Sequence, residues 1–350
     1  MTKKSKIFLS GGGTMGSVMP LFALIDDLKN KYQVFWIGSF RGPEKLFLLN
    51  NKVNYFSIPS GKLRKYFSLK NLFAPIFIFS GFIASFLILL FNSPKILIVS
   101  GSFVSVPVVW SAWLLKIPII VHQEDIKIGL AGKLSIKFAK VVTTSFKETL
   151  DLVKNENKVW LGNPIRKNFL NIENEDIKKW KIDSLPLIVV LGGGLGAEDI
   201  NKAIADLVPE ICNSTKIIHI TGVGKEKDIK NKNYKQFDFL DKEFYSLLAS
   251  ADIVISRAGL STITELSCLS KPSILIPLNG VGQLENAKYL EKNNACILLE
   301  SQNLEKLKDI IKNILKDKEK QKILSRNINK IFPPNANLEM IKIIDKNIKK

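Results

Sequence analysis

Three parts of this sequence carry residue types and spacings that could do chemistry. The first is Gly11-Gly-Gly-Thr-Met-Gly-Ser17, set directly after the apolar stretch Lys6–Ser10. Glycine lets backbone approach a ligand closely, and a helix after such a turn offers free N–H groups to an anion. The second is Gly192-Gly-Gly-Leu-Gly196, which follows Leu185–Leu191 and makes the same offer to a diphosphate. Either run alone could be a tight strand-to-helix turn with no ligand. Two of them at matching places in two halves of the chain favour a ligand cleft between domains. The third is His122, which follows an apolar segment and opens a loop; it is either a site residue or a hydrogen-bonded structural histidine. The chain has only one other histidine, His219, and its cysteines Cys212, Cys268 and Cys296 are dispersed and odd in number. That pattern offers no catalytic zinc site and reads as reduced, buried cytosolic thiols.

These residues need elements to hold them. Short apolar runs at Lys6–Ser10, Val34–Gly38, Lys95–Ser100 and Ile117–Val121 alternate with helical segments. A second series, Leu185–Leu191, Lys216–Ile220, Asp252–Ser256 and Ser273–Pro277, follows the Gly162-Asn163-Pro164 step and a polar stretch at Asn171–Lys181. Apolar strands separated by helices indicate parallel βαβ units, so the expected class is α/β with two Rossmann-like domains. A nicotinamide enzyme would more often carry an acidic residue at the end of the second strand. Here that strand ends in Gly38-Ser39 with Arg41 nearby, so such a site is not supported.

The formal net charge is +19, and 21 Lys/Arg face only 8 Asp/Glu in residues 1–165. No nucleic-acid module signature is present, so anionic lipid and phosphorylated ligands are the partners expected of the basic surface. Residues Met1–Lys6 run straight into a strand and show no secretory signal. From Phe73 to Phe91 there are 19 consecutive uncharged residues, preceded by Lys62, Arg64, Lys65 and Lys70. As a helix this run would be about 28 Å long. It could span a bilayer, lie buried on its sheet, or pack on the sheet while exposing apolar surface to a membrane. The adjoining cations and aromatic residues favour the last.

Taken together, the motifs resemble the MurG family, the UDP-N-acetylglucosamine:N-acetylmuramyl-(pentapeptide) pyrophosphoryl-undecaprenol N-acetylglucosamine transferases, over nearly the whole length. The resemblance rests on Gly12–Pro20, Gly101–Pro107, His122–Asp125 with Gly129-Leu130, Gly162–Arg166, Gly192–Ala197, Ala251–Glu265 with Lys271-Pro272 and Pro277, and Gln283–Ala287. It implies a GT-B glycosyltransferase fold, two Rossmann-like domains with parallel sheets facing across a cleft. Residues 1–163 would bind the acceptor and the membrane, and 164–332 the UDP-sugar; 333–350 would form a helix packing back on the first domain. The implied reaction is inverting transfer of N-acetylglucosamine from UDP-N-acetylglucosamine to the muramyl C4 hydroxyl of undecaprenyl-pyrophosphoryl-MurNAc-pentapeptide (lipid I). The product, lipid II, feeds peptidoglycan synthesis and so cell shape, division and the cell cycle. The enzyme would sit peripherally on the cytoplasmic face of the cell membrane, with an anionic membrane surface as a partner and with no cofactor, metal or nucleic acid.

The resemblance also carries site residues. Thr14, Gly16, Asn163, Arg166, Gly193, Gly194, Gly196, Arg257, Gly259, Ser261, Thr262, Glu265, Gln283 and Asn286 would meet the donor. Gly13, Ser17, Ser102 and Ser105 would meet the acceptor. A carboxylate at Glu265 could accept hydrogen bonds from both ribose hydroxyls, or could simply favour a helix N-terminus. Gln283 and Asn286, three apart, would suit sugar hydroxyls, and His219 would border the nucleotide. The pattern departs from the family at Ser17, where a histidine is usual, at Gln123, where a glutamate is usual, and at Gly194, where a serine is usual. Serine cannot replace histidine as a base at an ordinary pKa. Proton acceptance would then fall to His122, Glu124 or Asp125. A related GT-B transferase acting on diacylglycerol, or a non-catalytic UDP-sugar-binding membrane scaffold, are the alternatives.

Overall fold

The computed structural model describes residues 4–61, 70–181, 184–192, 196–280 and 282–348. The chain divides into two compact units, Met1–Arg166 with Pro333–Lys350, and Lys167–Phe332. The division falls after Arg166 rather than at the Asn163-Pro164 step.

The first unit is built on seven strands: β1 (Lys6–Ser10), β2 (Gln33–Ser39), β3 (Asn54–Ile58), β4 (Ile96–Ser100), β5 (Ile119–Gln123), β6 (Val141–Thr144) and β7 (Lys158–Trp160). All pair in parallel, in the order β3-β2-β1-β4-β5-β6-β7. Strand residues alternate between two cores. Ile7, Leu9, Ile96 and Ile98 face one core with Leu21, Leu24 and Leu28, and with Met340 and Ile344 of the C-terminal helix Ala336–Ile348. Phe8, Leu97 and Val99 face the other, with Leu89, Val108, Val109 and Ala112. Both faces are covered, which is why these strands read as continuous apolar runs. The strand expected at Ile117 begins at Ile119 instead, because Pro118 has no N–H to give the ladder.

Helix Lys70–Asn92 is not wholly buried. Leu89 and Ser85 turn inward, and the Ser111 hydroxyl of helix Ser105–Leu114 donates to the Phe82 carbonyl at 2.9 Å. Ile76, Phe77, Phe79, Ile83, Leu87, Leu90 and Phe91 remain exposed. Only 22% of its most apolar stretch is buried, and its length and composition would allow it to cross a membrane.

The second unit repeats the plan with six parallel strands: β8 (Leu187–Leu191), β9 (Lys216–Ile220), β10 (Tyr234–Phe237), β11 (Ile253–Ser256), β12 (Ser273–Leu275) and β13 (Ile297–Leu298). Their order is β10-β9-β8-β11-β12-β13. In each sheet the order reverses beside the first strand, between β1 and β4 and between β8 and β11. Chains leave these neighbours in opposite directions, and a crevice opens at their carboxyl ends, where α/β sheets take ligands. The resulting architecture is the GT-B fold of two Rossmann-like domains.

Candidate active site

In the first unit, the loops at the reversal point are held by side chains beneath them. Gly11 must be glycine: a Cβ there would stand 2.5 Å from the Ser17 carbonyl oxygen. Gly13 has φ +80° and lies against the Phe103 ring, so the loops after β1 and β4 pack on each other. Trp36 Nε1 donates to the Gly11 carbonyl at 2.9 Å. The Gly13 N–H donates at 3.1 Å to the carboxylate of Glu44, a fully buried residue that the sequence did not single out. That N–H is therefore spent inside the protein rather than offered to an anion. Nor does a long helix follow, since the first helical piece is only Met19–Phe22. Thr14 and Gly16 are exposed at the loop tip, and the Ser17 hydroxyl donates to the Gly12 and Thr14 carbonyls, both at 3.2 Å.

Of the two serines expected at the acceptor, Ser105 is buried and its hydroxyl donates to the Ser10 carbonyl at 3.0 Å, tying a helix to β1. Ser102 accepts from the Val104 N–H at 3.0 Å and closes the turn. Beside these loops an open groove of about 1110 Å³ is lined by Gly13, Ser39, Arg41, Ala74, Phe77 and Phe103, among others.

His122 lies within β5 and is fully buried, so the loop opens only after Gln123. Its Nε2 stands 3.0 Å from Asn163 Oδ1, and its Nδ1 3.0 Å from Thr143 Oγ1. An amide oxygen can only accept, so Nε2 carries the proton and Nδ1 accepts from the threonine. The Ser145 hydroxyl also donates to Asn163 Oδ1, at 3.4 Å. Burial pulls the imidazole pKa down to about 4, against a smaller upward pull from Asn163. Both ring nitrogens are occupied, so His122 orients Asn163 and has no lone pair left for a substrate proton.

The carboxylates beside it differ. Burial raises the Glu124 pKa well above the usual carboxylate range, and the charge of Asp125 raises it further. Gln123 donates from Nε2 to the Asp125 carbonyl at 2.9 Å and shapes this loop.

In the second unit, helix Leu260–Cys268 starts at the Gly259 cap beside the reversal point. Ser261 and Thr262 lie in its first turn. Glu265 lies about one and a half turns in and is only 8% exposed. It is thus no first-turn carboxylate placed by the helix dipole. Gln283 starts helix Gln283–Lys292, accepts at Oε1 from the Leu278 N–H at 3.0 Å, and brings its Nε2 close to Gly259. Asn286 is fully buried on the same helix. Arg257 is already engaged: it pairs with Asp199 and donates to the Ser301 hydroxyl and the Ile276 carbonyl. Burial alone would raise the Asp199 carboxyl, yet Arg257 holds it below the usual range.

Gly196 has φ +71°, with Thr221 and Lys225 packed behind it, whereas Gly193 and Gly194 lie outside the described residues. His219 is buried in β9 between Tyr234 Oη (2.9 Å) and Asn201 Oδ1 (3.0 Å), and burial lowers its pKa to about 4. Arg166 is half-buried at the end of the first unit. Among the described residues no group of three or more His, Cys, Asp or Glu is placed to hold a metal ion.

Comparison with known proteins adds to this geometry. Residues 7–144 match the glycosyltransferase family 28 N-terminal domain, and residues 187–337 match the family 28 C-terminal domain. A UDP-N-acetylglucosamine–N-acetylmuramyl-(pentapeptide) pyrophosphoryl-undecaprenol N-acetylglucosamine transferase of Clostridium novyi is 37% identical, over 98% of this chain and 99% of its own. The Clostridium tetani protein of the same description is 40% identical over 87% of each chain. The crystal structure of MurG from Acinetobacter baumannii superposes with a TM-score of 0.76, at 21% identity, over 98% of this chain and 99% of that one.

The two buried imidazoles make stability depend on pH. Both titrate near 4 when folded, below the 6.5 of an unperturbed histidine. Between these values the unfolded chain binds protons that the folded chain refuses. Their contribution is therefore complete above pH 6.5 and is lost as pH falls toward 4. The thermal midpoint should drop over this window. His122→Gln and His219→Gln should each flatten the drop relative to the parent. Parallel curves for parent and both variants would contradict the assignment.

Proposed function

This chain belongs to the MurG family of UDP-N-acetylglucosamine–N-acetylmuramyl-(pentapeptide) pyrophosphoryl-undecaprenol N-acetylglucosamine transferases, and we propose that it performs that transfer with the donor on its second unit and the acceptor on its first. It is a glycosyltransferase whose donor is UDP-N-acetylglucosamine and whose acceptor is lipid I. The observation that carries the donor assignment is the helix N-terminus at Gly259, with Gln283 beside it and Glu265 buried further along the same helix. A helix N-terminus there, at Gly259 to Thr262, is suited to the diphosphate. Glu265 would accept from the ribose hydroxyls, and Gln283 and Asn286 would meet the sugar. Arg257, held by Asp199, acts here by fixing the loop rather than by direct charge.

In the reaction, the muramyl C4 hydroxyl oxygen attacks C1 of N-acetylglucosamine from the face opposite UDP. The C1–O bond breaks, UDP leaves with the bonding electrons, and the configuration inverts from α to β. The hydroxyl proton passes to Glu124 or Asp125, the carboxylates of the loop after β5. His122 supports the site by orienting Asn163. Ser17, already donating to two carbonyls, is no base. The helix N-terminus after Gly259 stabilises the charge developing on UDP.

The groove beside Arg41 and Phe77 is the proposed acceptor site, because it runs to the exposed apolar side of helix Lys70–Asn92. An acceptor carrying a long polyprenyl chain stays in the bilayer, so its enzyme must come to the membrane. Seven large apolar side chains exposed among the described residues of this helix suit insertion at the lipid interface, on the cytoplasmic face where UDP-sugars are made. Of the cations expected beside it, Lys62, Arg64 and Lys65 lie outside the described residues, as does the side chain of Lys70.

Glu265→Ala should raise the donor KM roughly ten- to a hundredfold, the kinetic equivalent of about 1.5–3 kcal/mol for hydrogen bonds to a charged group. Steady-state kinetics with varied UDP-N-acetylglucosamine measures this. An unchanged KM in a folded variant removes Glu265 from the donor site.

Vesicle flotation checks the membrane surface. Binding to anionic vesicles should weaken with salt but persist, because apolar insertion is unscreened while the cationic attraction is screened within about 10 Å at 0.1 M. Phe79→Ser with Phe91→Ser should remove the residue that persists at high salt. Equal binding by parent and double variant at all salt concentrations would take this helix out of the interface.

A further inference from the structure

Glu44 stands in the sequence Gly42-Pro-Glu-Lys45, at the start of helix Pro43–Asn50. A carboxylate in a first turn is ordinarily a solvated partner of the helix dipole. Glu44 is instead fully buried, and its carboxylate reaches back into the ends of two strands. Oε1 accepts from the Ser39 N–H at 3.0 Å and from the Ser39 hydroxyl at 2.5 Å, and Oε2 accepts from the Gly13 N–H at 3.1 Å. The Ser39 carbonyl in turn accepts from the Tyr55 hydroxyl at 2.7 Å. Burial and the charge of Glu44 push that phenol above its ordinary range, so it remains a neutral donor.

Two glycines make room for the carboxylate. A Cβ on Gly12 would lie 2.2 Å from Oε1, and one on Gly42 1.9 Å from Oε2. The carboxylate therefore joins three segments: the loop after β1, the end of β2, and the start of helix Pro43–Asn50. Gly13, Ser39, Gly42 and Pro43, drawn from the same three segments, line the large groove of the first unit.

We infer that Glu44 is a positioning residue for the acceptor: by pinning Gly13 to Ser39 it fixes the wall of the groove against which the acceptor's reacting sugar is set. This rests on the reading that the first unit holds the acceptor. Glu44 touches no substrate, and its action passes through the loop. A buried acceptor-only group suits the task, since it demands N–H and O–H donors and so admits one arrangement of the backbone around it. The glutamine amide has the same shape but turns one carboxylate oxygen into an NH₂ that faces a donor.

The test compares Glu44→Gln with the parent as full chains. Acceptor kcat/KM should fall at least about tenfold. The Kd for UDP-N-acetylglucosamine, measured by calorimetry, should stay within about twofold, because the proposed main donor contacts, Gly259, Glu265 and Gln283, lie on the other unit. Amide exchange across Gly11–Ser17 should quicken, while exchange in β8 to β13 stays put. Ser39→Ala, which removes one donor of three, should show a smaller acceptor defect and should add little to Glu44→Gln. If Glu44→Gln does not fold, Gly12→Ala displaces the carboxylate without removing it and should give the same acceptor-specific loss. Unchanged acceptor kcat/KM in a folded variant, or an equal loss of donor affinity, overturns the inference. Failure of the parent to transfer sugar would sink the functional reading instead. The amide exchange stands apart from that, and unchanged exchange in Glu44→Gln overturns the clamp by itself.

Discussion

Parallel pairing of a unit's first strand with its fourth is the constraint on which the rest depends. Ile7 to Ser10 lie against Ile96 to Val99 in the first sheet, and Ile188 to Leu191 against Ile253 to Ser256 in the second. Each pair is the point where strand order reverses, so each has loops departing to opposite faces and a crevice at its carboxyl end. The Gly11–Ser17 loop after β1 and the helix start at Gly259 after β11 lie at these two places. The same constraint demands glycine where loops cross. Gly11 under the Ser17 carbonyl and Gly13 against Phe103 leave no space for a side chain.

Buried polar groups then fix what the crevices present. An unpaired carboxylate or imidazole in the interior costs several kcal/mol, so such groups survive only when their partners are supplied. His122 has Thr143 and Asn163, His219 has Tyr234 and Asn201, and Glu44 has Ser39 and Gly13. Each therefore fixes the neighbour it bonds. Glu124 and Asp125, the carboxylates proposed for proton transfer, stand in the loop directly after His122 and Gln123.

How much of this was legible in the sequence depended on how strongly each residue's type announces its surroundings. Central strands such as Leu187–Leu191 and Ile96–Ser100 are apolar and β-branched, and they stand where the pattern put them. Edge strands such as Lys158–Trp160, Tyr234–Phe237 and Ile297–Leu298 escaped notice. They are short or polar, and a strand with one neighbour need not be apolar throughout. Phe73–Phe91 was plainly helical, yet no periodicity in so apolar a run told which side would be covered. The family resemblance brought out the motif residues, and the structure gathers many of them beside the two crevices. It could not show that Arg257 is engaged by Asp199 or that His122 has both nitrogens bonded. Glu44 itself did not stand out, because a glutamate after proline at a helix start reads as an ordinary solvated residue. Only Gly12 and Gly42, both without side chains, hint at the slot it fills.

Sugar transfer with inversion, from a nucleotide donor to a membrane-held acceptor, can be followed at both products. The most direct measurement supplies UDP-N-acetylglucosamine labelled in the sugar, together with lipid I in vesicles, and follows both products. One UDP should be released for each labelled sugar that becomes lipid-linked, with a β linkage at the new bond by NMR and negligible UDP release without the acceptor. Labelled sugar appearing free in solution, label passing to diacylglycerol instead, or tight donor binding with no UDP release in the presence of lipid I would contradict it.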